Sequence, residues 1–351
     1  MAKKTLEKGN IAIAKGAISA GCKYYFGYPI TPQNDIPEYL SGVLPKIGGT
    51  FIQAESEIAS INMVMGASAA GARVMTSSSG PGISLKQEGI SYMAGSELPA
   101  LIVNIMRVGP GLGGIAATQG DYFQATRGGG HGDYYVIVLA PGSVQEMYDC
   151  TIKAFDLADK YRNPVMILSD AILGQMKEPV IIEDVEPAVP PVKDWALTGP
   201  KGRPPQFIKT LYLSDGEQEQ HNLELKKKYD TIRREEVLYE SKDLEDSDIV
   251  IVAFGTLSRI AKTALQMAKK ENLKVGLIRP ITLFPFPSDI IRETAKRVPR
   301  ILVAEMNTGQ MIEDVRLAIE DKVNIRLYYR PGGGSITPED ILNEVKVMLN
   351  E

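Results

Sequence analysis

The chain has 351 residues, 44% hydrophobic and 23% charged, which describes a water-soluble globular protein with apolar mass for about two domains. Its 39 basic and 43 acidic side chains leave a formal net charge of −4 with no long basic run, so nucleic acid is excluded as a natural partner. Only Cys22 and Cys150 are present, without a C-x-x-C pair, so this chain cannot by itself ligate a structural zinc or an iron–sulfur cluster, and two free thiols suit a reducing cytoplasm.

No apolar run nears the ~18 residues of a membrane span, and the lysines at the start have no apolar segment behind them, so a mature cytoplasmic protein without membrane contact is expected. Residues 10–20 carry Ile11, Ala14 and Ile18 at helical spacing, closed by Gly21. A strand is predicted over 23–28, stopped by Pro29-Ile30-Thr31-Pro32. Thr31 either presents its hydroxyl on a stiff turn or caps the helix predicted over 35–40.

The stretch 51–82 organises the rest. A short apolar strand ends on Glu55 and Glu57, a helix follows over 58–70, and a strand from Arg73 breaks into Ser79-Gly80-Pro81-Gly82. An acid at a strand-to-helix junction beside a glycine turn sits where α/β folds bind ligands. Glu57 is a catalytic group or only a helix-start carboxylate; spacing alone leaves both open. A helix over 83–94 leads to an apolar run at 98–106, which reads as a central parallel strand covered on both faces and ends at Arg107. Gly109, Gly111 and Gly114 formally match the dinucleotide fingerprint, but they follow a late strand and open no apolar helix. A mobile cover over a site is the better reading.

Strands over 134–139 and 164–169 flank a helix over 143–161 with a Ser143 N-cap and Glu146 at N3. About six strands separated by helices predict an α/β fold with a doubly wound sheet over residues 1–188. Residues 189–245 read as a Pro/Gly-rich linker followed by a solvated, mixed-charge helix. Residues 246–351 alternate four strands with four helices and predict a second, smaller parallel α/β domain.

Thr31, Glu57 and Arg107 thus share one sheet edge. A strand-end Glu in a partly apolar setting is suited to share a proton with a base, and Arg offers a bidentate fork for a carboxylate. At these residues the chain resembles a known family. Glu57, nine residues before Gly66, with the Gly80-Pro81-Gly82 turn, looks like the pyrimidine-binding domain of thiamine diphosphate enzymes. Gly27-Tyr28-Pro29-Ile30-Thr31-Pro32, Ser56-Glu57, Leu98-Pro99 with Arg107, and Glu305 through Gln310 resemble the α subunit of 2-oxoacid:ferredoxin oxidoreductases. The C-terminal region is similar to a transketolase C-terminal-like domain.

The resemblance implies that Glu57 bonds N1′ of the thiamine diphosphate aminopyrimidine, with Glu55 the weaker candidate, and that Tyr28, Pro29, Ile30, Thr31, Ser79 and Gly80 line the cofactor. It places Thr31 beside the reacting carbonyl, Arg107 on the substrate carboxylate, and Gly109 near the substrate. No Gly-Asp-Gly occurs, since Gly120-Asp121-Tyr122 and Gly132-Asp133-Tyr134 both fail the motif that holds the diphosphate through a metal. By resemblance, a β subunit then supplies the Mg2+, the diphosphate grip and a [4Fe-4S] cluster, and a γ subunit completes the complex, with coenzyme A, a 2-oxoacid and ferredoxin as reactants. The loops at 109–114 and 124–133 look closer to the branched-chain (3-methyl-2-oxobutanoate) subclass than to the 2-oxoglutarate one. A second carboxylate would call for a second cation, for which Arg127 is the candidate; His131 is a candidate polar contact.

Overall fold

Strand and helix alternate because β-branched runs short enough for strands are separated by longer stretches of helical period. The computed structural model describes residues 3–182, 187–319 and 323–351. In chain order the first part comprises β1 (Lys3–Lys8), α1 (Gly9–Ser19), β2 (Tyr24–Gly27), α2 (Asp35–Val43), β3 (Thr50–Gln53), α3 (Glu57–Ala69), β4 (Val74–Ser78), α4 (Pro81–Gly95), β5 (Ala100–Met106), α5 (Tyr122–Arg127), β6 (Ile137–Leu139), α6 (Val144–Tyr161), β7 (Pro164–Asp170), α7 (Ala171–Gln175) and β8 (Lys177–Ile182). Residues 187–216 carry no regular element; then come α8 (Glu217–Glu235), β9 (Tyr239–Lys242), β10 (Ile249–Val252), α9 (Gly255–Lys270), β11 (Val275–Pro280), β12 (Thr282–Phe284), α10 (Ser288–Ala295), β13 (Arg300–Glu305), α11 (Met311–Ala318), β14 (Asn324–Tyr329) and α12 (Pro338–Asn350).

The first sheet has seven strands in the order β12-β6-β7-β5-β4-β2-β3. Its β2 to β7 strands pair in parallel, and β12 closes the edge antiparallel to β6. Every residue of β5 and β7 is buried, as apolar strands covered on both faces must be. The second sheet, β14-β13-β10-β11-β9, is parallel except at β9. β1 and β8 form a separate antiparallel pair.

Four features extend the sequence reading. β9, in the stretch read as linker, is a charged edge strand of the second sheet, and charge suits an edge. β12 leaves the second unit to join the first sheet. α8 is solvated on most of its surface, but Leu225, Tyr229 and Ile232 form a buried stripe at helical spacing, and Lys228 reaches Glu97 at 3.2 Å. The linker also lies down on the first unit. Leu197 donates its N–H to the Ala69 carbonyl at 2.8 Å, and Lys193 pairs with Asp159, which also holds the buried Arg73.

Candidate functional site

Four neighbouring strands set the site. In the order β3-β2-β4-β5 they run parallel, so their C-terminal ends finish at one edge, where an open α/β sheet leaves a crevice. β2 leads to the turn at 28–31, β3 to Glu57, β4 to Ser78 and Ser79, and β5 to Arg107.

Ser56 caps α3 by accepting the Ala59 N–H at 3.1 Å, which makes Glu57 the first helical residue. There its carboxylate meets the positive end of the helix dipole, yet the side chain turns inward and is only 7% exposed. It faces Gly82 in the first turn of α4. A Cβ on Gly82 would stand 2.6 Å from Glu57 Oε1 and would clash with Ser78 Oγ, so glycine is required by space. Glu55 is exposed, so the two carboxylates occupy different environments. The Ser78 and Ser79 hydroxyls are buried without a protein partner, and such groups await something else to bond.

One turn along α4 from Gly82 lies Lys86, fully buried. Its ammonium donates to Ser60 Oγ and, at 3.1 Å, to Thr76 Oγ1. Burial pushes its pKa down to about 8, and the Glu57 charge opposes that shift. The sequence reading missed this residue. The available signal was its spacing, four residues after Gly82 and so on the helix face turned toward α3.

The turn at 28–31 is braced from below: Gln33 Nε2 donates to the Tyr28 carbonyl at 3.4 Å, and Asn10 Nδ2 donates to the Pro32 carbonyl at 2.9 Å. Thr31 is exposed and caps no helix; Asn34 holds the N-cap position of α2. Tyr28 and Pro29 are also exposed, and Ile30 is half-buried. Arg107 is brought directly against this turn. It is 8% exposed, and its guanidinium donates to the Thr31 carbonyl at 3.1 Å and to the Leu112 carbonyl at 3.0 Å. Its Nε–H has no partner, and no carboxylate pairs with it among the described residues. Gly80, at φ 39°, lies beside its aliphatic stem.

Beyond Arg107 the glycine-rich loop is closed by Gly114 donating to the Val108 carbonyl at 2.9 Å, with Leu112 80% and Ile115 67% exposed. It borders a cleft of about 810 Å³ that Gly80, Arg107 and Gly109 line on one side and Asn307, Gln310 and Pro331 on the other. Gln310 stitches the two units: its amide donates to the Gly120 carbonyl at 2.8 Å and accepts the Phe123 N–H at 2.7 Å. Asp121, also in the cleft wall, accepts from Asn104 at 3.0 Å, and burial raises its pKa. Sequence reasoning considered Asp121 only as part of a failed metal motif.

Arg127 is not brought to the cleft. Its guanidinium pairs with Asp314 at 2.8 Å and lies over the Phe123 ring. His131 is exposed and borders a different hollow, near Tyr92 and Tyr212.

Two α/β units with mainly parallel sheets, the first ending its strands on a buried acid and a glycine turn, make up the described chain. A split-gene transketolase, 14% identical, shares that fold over 97% of this chain with a TM-score of 0.59. Residues 15–251 match the family described as pyruvate flavodoxin/ferredoxin oxidoreductase, thiamine-diphosphate-binding, and residues 247–341 match the pyruvate:ferredoxin oxidoreductase core domain II. A ketoisovalerate oxidoreductase subunit VorB of Methanothermobacter thermautotrophicus is 52% identical, covering 98% of this chain and 97% of its own. A 2-oxoglutarate synthase subunit KorA of the same organism is 38% identical, with 97% and 98% covered. The solved 2-oxoglutarate:ferredoxin oxidoreductase of Magnetococcus marinus, with 2-oxoglutarate, coenzyme A and succinyl-CoA bound, is 29% identical with a TM-score of 0.87; the match covers 98% of this chain and 65% of that one. The chain belongs to the thiamine-diphosphate-binding 2-oxoacid:ferredoxin oxidoreductase family. Among the described residues, no helix is long and apolar enough to cross a membrane, and no three His, Cys, Asp or Glu side chains cluster as metal ligands.

Proposed function

We propose that this chain is the α subunit of a branched-chain 2-oxoacid:ferredoxin oxidoreductase and contributes the aminopyrimidine half of the active site. The overall conversion takes a 2-oxoacid, coenzyme A and oxidised ferredoxin to acyl-CoA, carbon dioxide and reduced ferredoxin. The observation that carries the reading is the buried Glu57 carboxylate facing a glycine-lined cradle in which the Ser78 and Ser79 hydroxyls have no protein partner. That donor set fits an aminopyrimidine, a flat heterocycle with both ring nitrogens and an exocyclic amine to satisfy. Thiamine diphosphate, when bound, supplies a carbon nucleophile and an electron sink.

The chain's own groups do the rest. Glu57 holds a proton at N1′. Ser78 and Ser79 can bond the ring's polar atoms, and Gly80 and Gly82 let it approach the backbone. Arg107 anchors the substrate carboxylate through its free Nε–H and through the donor that now rests on the Leu112 carbonyl, because a charged acceptor outcompetes a neutral one. Thr31, held against Arg107, stands beside the reacting carbonyl. A β subunit is proposed to carry the Mg2+, the diphosphate grip and the [4Fe-4S] cluster, with a γ subunit completing a cytoplasmic complex.

Branched-chain selectivity is favoured over 2-oxoglutarate because the second cation considered for a second carboxylate, Arg127, is already paired with Asp314. In the assembled complex, Glu57→Gln is expected to lower turnover by at least about 100-fold without loss of assembly. Near-normal activity would overturn the assignment. Copurification without thiamine diphosphate binding would instead favour a non-catalytic assembly subunit.

A further inference from the structure

A fully buried lysine without a buried carboxylate in hydrogen-bond contact is costly unless its charge does something. Lys86 is such a residue. Among the described residues its ammonium bonds only neutral hydroxyls, Ser60 Oγ and Thr76 Oγ1. Ser60 is the link to the site: it lies one turn after Glu57 on α3, and its hydroxyl donates to the Glu57 carbonyl at 2.9 Å. Gly82, one turn before Lys86 on α4, faces the Glu57 carboxylate, and Thr76 lies two residues deeper in β4 than the Ser78 that crowds the same glycine. The ammonium is therefore held against α3 one turn along from Glu57, between the Ser60 hydroxyl and Thr76 of β4. Around it, α3 contributes Ser60 and Glu57 and β4 contributes Thr76, and the charged group acting on it is Glu57.

We infer that Lys86 is a positioning residue, a buried counter-charge that sets how tightly Glu57 and the base it faces hold their shared proton. The inference rests on the reading of Glu57 given above. A positive charge at this depth stabilises the ionised carboxylate without entering the cleft or touching the reacting atoms. Removing it leaves the pair in a more negative field, so the shared proton is released only at higher pH. Because burial lowers the lysine's own pKa to about 8, the wild-type protein loses this support on the alkaline side, whereas arginine keeps it.

The test uses the assembled complex loaded with thiamine diphosphate. The near-ultraviolet circular dichroism of the bound cofactor, which reports aminopyrimidine protonation, is followed from about pH 6 to about pH 10 alongside kcat. Lys86→Met is expected to move the midpoint up by about one pH unit, a tenfold change in proton affinity, with kcat following. Equal midpoints in wild type and Lys86→Met, even with altered thermal stability, would reduce Lys86 to a structural role and overturn the inference. Should Lys86→Met not fold, Lys86→Arg decides: its profile is expected to part from wild type above about pH 8, and coincident profiles overturn the inference. Glu57→Gln in the same assay separates the two proposals. If it leaves the signal and its pH dependence intact, the reading of Glu57 fails first; if it removes them, Lys86 stands or falls on its own variants.

Discussion

At the scale of single residues, the site sets a buried acid and a buried guanidinium at one sheet edge with a buried ammonium beneath them, and each has a distinct expected signature. Arg107→Ala is expected to raise KM for the 2-oxoacid by about tenfold or more and to leave KM for coenzyme A within about twofold. Equal changes in both would remove the carboxylate-anchor role. Gly82→Ala places a methyl against Glu57 and Ser78 Oγ, so thiamine diphosphate affinity, read by titration of the assembled complex, should fall more than thermal stability does. Lys86 also makes a stability prediction with a definite sign. Its folded-state pKa of about 8 lies below the ordinary 10.5, so between those values the unfolded chain binds more protons than the folded one, and stability rises with pH. The full penalty, about 3 kcal/mol, is present below about pH 8. Chemical denaturation of wild type should show this rise and Lys86→Met should lack it. As candidates, Arg107 was legible because it ends an apolar run and Glu57 because it opens a helix beside a glycine turn. Lys86 and Asp121 were not, since their burial is created by helices and loops that meet only in the fold.

At the scale of elements, what the sequence conveyed depended on how local each pattern is. β5 is apolar at nearly every position, and that composition alone marks it as a covered, central strand. The Ser143 cap on α6 was legible because Ser143 and Glu146 stand three residues apart, and the Glu146 N–H does bond the Ser143 hydroxyl at 3.1 Å. β1 and β8 were invisible because neither is apolar and their partners lie far apart in the chain. β12 has three residues between two prolines, too short for any periodicity. α11 shows how an element can serve the site at a distance. Glu305 accepts the Met311 and Ile312 N–H groups at its start, while Gln310 holds the segment around Gly120 and Phe123. Gln310→Ala removes both bonds across the cleft and is expected to cost about 2 kcal/mol in chemical denaturation. Gln310→Glu, which keeps the acceptor and loses the amide donor, should cost less than the alanine variant if the Phe123 bond dominates.

For the whole molecule, one face of the second sheet joins the core of the first unit, while its other face packs a separate cluster around Ile251, Leu277 and Leu302. Phe254, Ile278 and Val303 of the second unit belong to the same apolar cluster as the strands of the first. Arg279, 1% exposed, is clamped between Glu146 of the first unit and Glu240 of β9. The division expected at residue 246 is thus crossed by packing and by ion pairs, and we propose that the two units unfold together. Calorimetry of the isolated chain should give a single unfolding transition, and two resolved transitions would contradict this coupling.

The strand exchange has a consequence for any attempt to dissect the protein. A fragment ending at residue 245 would keep α8 and its stripe but lose β12, leaving β6 with a bare row of backbone donors and acceptors. Such an edge, short and wholly apolar, invites pairing with another copy of itself. The fragment should accumulate as oligomers or aggregate, and adding back the 246–351 piece should suppress that only if Thr282–Phe284 is included. In this molecule the β6 edge of the first sheet is covered by a three-residue strand borrowed from the second unit.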